Sequence, residues 1–246
     1  MIQRLTTPTQ KAFYETAVWT AQPVFICDAM NGWRCRNWND SYLAERLGDR
    51  QFRVNQTRTG RFGIYSTRSR PGETIRQFTF RELLQSIEHE PDMVHYMEQV
   101  PLDASCGPLR DEVNYFECLE AALVQSVNLW YSQKGSRIPL HWDSRDNILA
   151  QVKGSKSVVL YAPDQTDNLY PGLEGARWAS QVDIDEPDLQ RHSAFARAQV
   201  AARFILNEGE ALYLPRRWWH HIITLSDRAV SINYWYDKSI PESCRA

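Results

Sequence analysis

The stretch PLHWDSRDNILAQVKGSKSVVLY, residues 139–161, decides how the chain is to be read. Two apolar segments, NILAQVK and KSVVLY, flank Lys153-Gly154-Ser155, which has the composition of a hairpin turn. Two paired β-strands are expected. Just before them His141 and Asp143 stand two residues apart, and in an extended chain such residues project to the same side. Imidazole and carboxylate therefore converge, either as a hydrogen-bonded pair or as two ligands of one metal. Lys156 opens the second segment on the face of Val158 and Leu160, which aims an ammonium where a core belongs. A buried lysine needs an anionic partner or loses its charge. The alternative is a side chain that snorkels at the strand end. Asn147, and Asn233 farther on, also fall in strand-like segments, where asparagine is disfavoured unless its amide has polar partners.

Toward the C-terminus, GEALYLPRRWWHHI (209–222) places two of the six histidines side by side. In an extended segment His220 and His221 face opposite ways, so only one of them can join His141 and Asp143. Two histidines and a carboxylate form the facial triad of non-haem iron, which leaves coordination positions open for substrate and dioxygen. The surrounding segments, SVNLWYS from 126, ALYLP from 211 and RAVSINYWYD from 228, are short and strand-like.

The first half reads as mixed α/β. PVFIC (23–27) and QFRVNQT (51–57) read as strands, and NWNDSYLAERLGD as a helix capped by Asp40 and stopped at Gly48. FTFRELLQSIEHE carries the capping box Thr79/Glu82, with Phe80, Leu83, Leu84 and Ile87 on one face. STRSRPGET (66–74) reads as an exposed loop whose arginines form a solvated face. No repeat or linker divides the chain. We expect one domain over residues 1–246, mainly β with flanking helices: a leader over 1–125 packed on a barrel core over 126–238.

The net charge of −2 argues against a general nucleic-acid binder, DNA included. The five cysteines are odd in number, scattered and without a CxxC, so neither a disulfide framework nor a thiolate zinc site is indicated. No apolar run approaches a membrane span or a signal peptide, and a soluble cytoplasmic protein is expected.

PLHWDSRDNILAQVKGSK, YAPDQTDNLYP (161–171), SQVDIDEPD (180–188), GEALYLPRRWWHHI and SINYWY follow one another in an order and spacing that is specific. Over residues 128–237 the chain resembles the JmjC and cupin-like Fe(II)- and 2-oxoglutarate-dependent oxygenases, nearest to their asparaginyl-hydroxylase-like branch. The resemblance implies a double-stranded β-helix, or jelly-roll barrel, with Fe(II) as metal and 2-oxoglutarate and O2 as cosubstrates. It implies His141, Asp143 and His220 as the iron ligands and Lys156 as the partner of the distal carboxylate of 2-oxoglutarate. Asn147 and Asn233 match positions near the metal-bound end of the cosubstrate, and Tyr96, in HYMEQ, matches a tyrosine whose hydroxyl binds it. The chain departs from that branch at Ile138, where a threonine is usual, and at Trp178 and Ala179, which replace an Arg-Gln pair.

The activity implied is hydroxylation of a C–H bond with release of succinate and CO2. A protein or peptide side chain is the expected substrate. A modified tRNA nucleoside or a small molecule is the alternative, and a non-catalytic metal-binding cupin-like module is the alternative of another class. With His220 on the metal, Trp218 faces the barrel interior and Trp219 and His221 face outward. Trp218, Trp178, Gln181 and Trp235 are the expected substrate-pocket residues, and the oligomeric state is left as monomer or homodimer.

Overall fold

The computed structural model describes residues 2–63, 72–173 and 175–237. Most of the STRSRPGET loop lies outside the described residues. The strands are β1 (Gln3–Thr6), β2 (Val24–Cys27), β3 (Gln51–Thr57), β4 (Thr74–Thr79), β5 (Val94–Pro101), β6 (Val124–Gln133), β7 (Arg137–His141), β8 (Asp146–Lys153), β9 (Lys156–Tyr161), β10 (Ala202–Leu206), β11 (Ala211–Leu214), β12 (Trp219–Thr224) and β13 (Arg228–Tyr236).

Among the described residues they form a nine-stranded sheet, ordered β1-β2-β11-β8-β13-β6-β5-β3-β4, and a four-stranded sheet, ordered β10-β9-β12-β7. Strand alternation sorts the side chains into layers. Ile148, Ala150 and Val152 of β8, with Val230, Ile232 and Tyr234 of β13, leave the large sheet on its outer face. There they pack with Phe13, Trp38, Leu43, Phe80 and Leu83 of the N-terminal half. Leu149, Val158, Leu160, Leu212 and Leu214 project inward and close one end of the space between the sheets. Val159, Tyr161 and Trp219 leave the small sheet outward and are covered by Leu169 and Phe195. The inner space bounded by both sheets is that of a jelly roll, as expected.

The leader is part of the large sheet. β2 pairs with β11, and β5 pairs with β6, so strands from the first 125 residues flank the barrel strands on both sides. The hairpin at Lys153–Ser155 is present, with Gly154 at φ +71°. A Cβ at Gly154 would run into the Arg228 carbonyl, so the position needs glycine for space as well as for backbone freedom. The capping box on the helix Phe80–His89 forms as expected, with Thr79 Oγ1 accepting from the Glu82 N–H (3.1 Å). One cap differs. The helix Asp40–Leu47 is capped by Asn39, whose Oδ1 accepts from the Tyr42 N–H (2.9 Å), and Asp40 instead accepts from the Tyr131 hydroxyl (2.8 Å).

Candidate metal centre

His141 is the last residue of β7, and Asp143 follows in the loop to β8. His220 sits on β12 directly across from His141. The β7–β12 register sets three residues, His220 to Ile222, against four, Ile138 to His141, so β7 carries one extra residue. Ile138 lines the inner cavity, Leu140 packs outside, and His141 turns inward again. Strand alternation alone would have put His141 and Ile138 on opposite sides. The bulge re-aims the histidine.

The turn before β12 is tied to the loop that carries Asp143. The Arg217 N–H donates to the Asp143 carbonyl (2.8 Å), and the Arg216 N–H donates to Asp146 Oδ1 (2.9 Å). Arg217 takes φ +68°, a conformation uncommon for a residue with a Cβ, within this clamp. The loop holding the second ligand candidate and the strand holding the third are thus fixed together.

His141, Asp143 and His220 are all buried, and one donor atom from each lies within 4.8 Å of the others. The His141 Nδ1–H donates to the Pro139 carbonyl (2.8 Å), and the His220 Nδ1–H donates to the Trp218 carbonyl (3.0 Å). These bonds fix the tautomer that leaves each Nε2 lone pair toward Asp143. The Nε2 atoms stand 3.9 and 3.4 Å from the two carboxylate oxygens, near the ~3–4 Å spread that ligands about 2 Å from one cation adopt. Burial, and then the neighbouring His220, push His141 down to about 4, so its imidazole is neutral at pH 7 and suited to a metal. Two imidazoles and one carboxylate fit a divalent ion with open positions.

Lys156 is 5% exposed in the same cavity. Its Nζ donates to Ser231 Oγ (2.8 Å), which donates to Gln151 Oε1 (2.8 Å). Among the described residues no carboxylate pairs with it, and burial pushes its ammonium down to about 7. The lysine is held inside by hydroxyl and amide oxygens and does not snorkel. A buried cation facing a metal-ligand triad fits a dicarboxylate anchored at both ends.

Asn147, Asn233, Tyr96 and Trp235 line this cavity with the triad and Lys156, in an open-mouthed space of about 700 Å3 that includes solvent at its mouth. Asn233 Oδ1 accepts from the Trp130 indole N–H (2.7 Å) and from Asn128 Nδ2 (3.2 Å), and its own Nδ2 donates to Asn147 Oδ1 (3.2 Å). Both asparagines are thereby oriented, which is the polar partnership expected of them.

Three expected pocket residues are placed elsewhere. Trp218 does face the interior, but it packs with Phe25, Leu160 and Leu214, and its indole N–H donates to the Ala21 carbonyl (2.9 Å). It plugs the barrel end behind the cavity and is not a wall of it. Trp178 and Gln181 belong to a segment paired to the β7 end, where the Trp142 N–H donates to the Trp178 carbonyl (2.9 Å) and Gln181 Nε2 donates to the Pro171 carbonyl (3.0 Å). Neither lines the cavity. His221 faces outward as the parity of β12 requires, 3.4 Å from Asp185 beside Arg137.

Glu98, Trp130, Ser136 and Thr224, not singled out in the sequence, complete the cavity together with Ile138. Thr224 is the cross-strand partner of Lys156, and alternation from His220 would have found it.

The geometry is matched by likeness to known proteins. The profile of the cupin-like domain family matches residues 10–242. The chain is 32% identical over 228 residues to Lysine-specific demethylase JMJ30 of Arabidopsis thaliana, covering 90% of this chain and 51% of that protein. It is 27% identical to Lysine-specific demethylase 8 of Xenopus tropicalis, covering 96% and 52%. It is 28% identical to human HSPB1-associated protein 1, covering 88% and 48%. The chain spans about half the length of these curated relatives. With its two-sheet barrel and its His-Asp-His centre, the chain belongs to the cupin-like JmjC family.

Proposed function

We propose that the chain is an Fe(II)- and 2-oxoglutarate-dependent dioxygenase that hydroxylates a C–H bond, with a protein or peptide side chain as substrate. JmjC homologues use Fe(II), 2-oxoglutarate and O2. The observation that carries the proposal is the buried Lys156, without a carboxylate partner among the described residues, in one cavity with His141, Asp143 and His220.

Bound Fe(II) would supply the activation of dioxygen coupled to decarboxylation of the cosubstrate to succinate and CO2. The chain's own residues bind and orient. His141, Asp143 and His220 would hold the metal on one side. Lys156 would neutralise the distal carboxylate, with Thr224 beside it offering a hydroxyl where Ile138 offers none. Asn233 and Asn147, locked by Trp130, would present fixed amides to the metal-bound end. Leu149, Leu214 and Ile222 keep that part of the cavity dry.

A side-chain substrate is supported by a groove that continues outward from the cavity past Asp143 and Trp235 to Gln99, Ser126 and Arg145. The names of two relatives point to lysine demethylation, which begins with the same C–H step on an N-methyl carbon. Free cysteines at positions 27, 35, 106 and 118 agree with a reducing, cytoplasmic setting, and no helix of the described residues is long and apolar enough to cross a membrane.

The test is anaerobic titration of the Fe(II)-loaded protein with 2-oxoglutarate. A weak visible charge-transfer band and a calorimetric binding signal are expected. Absence of both sinks the oxygenase assignment. Succinate release is then screened against cell extract fractionated into protein, RNA and small molecules. Turnover stimulated by RNA alone would replace the protein substrate with a nucleoside.

A further inference from the structure

Glu98 enters the cavity where β5 becomes irregular. The pairing of β5 with β6 slips between Met97 and Val100, and Gln99 takes φ +48°. Left-handed backbone at a residue with a Cβ is strained, and such strain and such bulges concentrate where a site needs a side chain re-aimed. Here Glu98 keeps the cavity face of Tyr96 by strand alternation, and the slip past it turns Gln99 into the groove leading out.

The surroundings of Glu98 are aromatic. Tyr96 and Trp130 line the cavity with it, their rings 6.0 Å apart and tilted by 30°, and Trp235 borders both cavity and groove. No ion pair to Glu98 forms among the described residues. Burial raises its carboxyl above the usual range, a hydrogen bond with Asn55 opposes this, and Glu73 and Arg53 act more weakly in opposite senses. A carboxylate held in a partly dry aromatic chamber calls for a cation.

Charge accounting points the same way. With the cofactors in place, the two positive charges of Fe(II) and that of Lys156 would be cancelled by Asp143 and the two carboxylates of 2-oxoglutarate. Glu98 is then the unmatched charge of the cavity. We infer that Glu98 is a specificity-determining residue that receives a positively charged group of the substrate side chain, an ammonium or a guanidinium, against Trp130 and Tyr96. The chamber then combines a carboxylate with aromatic faces, both attractive to a cation. The inference rests on the proposed function, because the same cavity must admit the side chain that is oxidised.

The experiment uses the full chain loaded with Mn(II) and 2-oxoglutarate, which binds without turnover. The probes are short peptides of one sequence whose central residue is arginine, lysine, trimethyllysine, citrulline, glutamine or norleucine, titrated to millimolar concentration by calorimetry. Wild-type protein is expected to bind at least one cationic peptide tenfold or more tightly than its neutral counterpart, and the arginine and lysine arms identify which cation. Glu98→Gln, nearly isosteric, should abolish that preference while 2-oxoglutarate affinity stays within twofold, and Glu98→Asp should restore part of it. If wild-type protein shows no cationic preference, or Glu98→Gln keeps it, the inference is overturned. Loss of 2-oxoglutarate binding by wild-type protein would instead overturn the proposed function, so the two failures are told apart.

Discussion

At the scale of single residues, the adjacent histidines of β12 give the sharpest test of the centre. His220 turns its Nε2 to Asp143, whereas His221 lies across the sheet beside Asp185. After anaerobic reconstitution, His220→Ala is expected to emerge without Fe(II) and His221→Ala to keep it, as read by metal analysis. The stability cost of His221→Ala should stay within about 1–3 kcal/mol, the range for disturbing a buried polar contact. Lys156 offers a test by pH. Burial takes its ammonium from 10.5 down to about 7 in the folded chain. Between those values the unfolded chain binds a proton that the folded chain does not, so the stability of cofactor-free protein should rise with pH across that window. Binding of 2-oxoglutarate restores the charge and takes up a proton there. Its affinity should therefore weaken from pH 7 to 9, by up to about tenfold per unit, and Lys156→Met should lower the affinity and remove the slope. A calorimetric Kd that is flat over this range in wild-type protein would remove Lys156 from the cosubstrate site.

At the scale of elements, what could be read in the sequence follows what alternation controls. The parity of β12, the inward Lys156, and the outward Ile148, Ala150 and Val152 against inward Asn147, Leu149 and Gln151 on β8 need only a period of two. The extra residue on β7 and the slip on β5 are register events between strands distant in sequence, and HYMEQV (95–100), where β5 slips, carries no glycine or proline that would mark it in advance. Glu98 lies two residues past Tyr96 on the same face, so alternation could have found it, as it could Thr224; the slip decides only where Gln99 and Val100 go. Trp218 was misplaced because parity gives the side on which a residue lies but not its depth, and Leu214 and Leu160 hold it at the barrel end. The β8–β9 hairpin is the element whose local signal was strongest, and it supports a quantitative expectation. Gly154→Ala combines a left-handed φ with a clash against the Arg228 carbonyl, so it should cost roughly 1–3 kcal/mol in chemical denaturation. A neutral outcome would mean that the turn relaxes without resistance from β13.

On the scale of the whole molecule, the leader and the barrel core share hydrogen bonds and a hydrophobic layer. β2 supplies the neighbour of β11, and β5 supplies the neighbour of β6, while Phe13, Trp38, Phe80 and Leu83 cover the outer faces of β8 and β13. Removing residues 1–125 would therefore leave two unpaired sheet edges and strip the cover from Ile148, Ile232 and Tyr234. It would also remove Tyr96 and Glu98 from the cavity. The chain should accordingly unfold in one cooperative transition, and a fragment beginning at residue 126 should lack fixed tertiary structure, read as loss of near-ultraviolet circular dichroism and of Fe(II) binding. Because the cavity forms only in the folded state, Fe(II) and 2-oxoglutarate should stabilise the whole chain together. A ligand at a hundred times its Kd adds about 2.7 kcal/mol to a single transition. If unfolding instead splits into two transitions, of which only the later one shifts with the cofactors, the leader folds apart from the core and its strands contribute little to holding the metal centre.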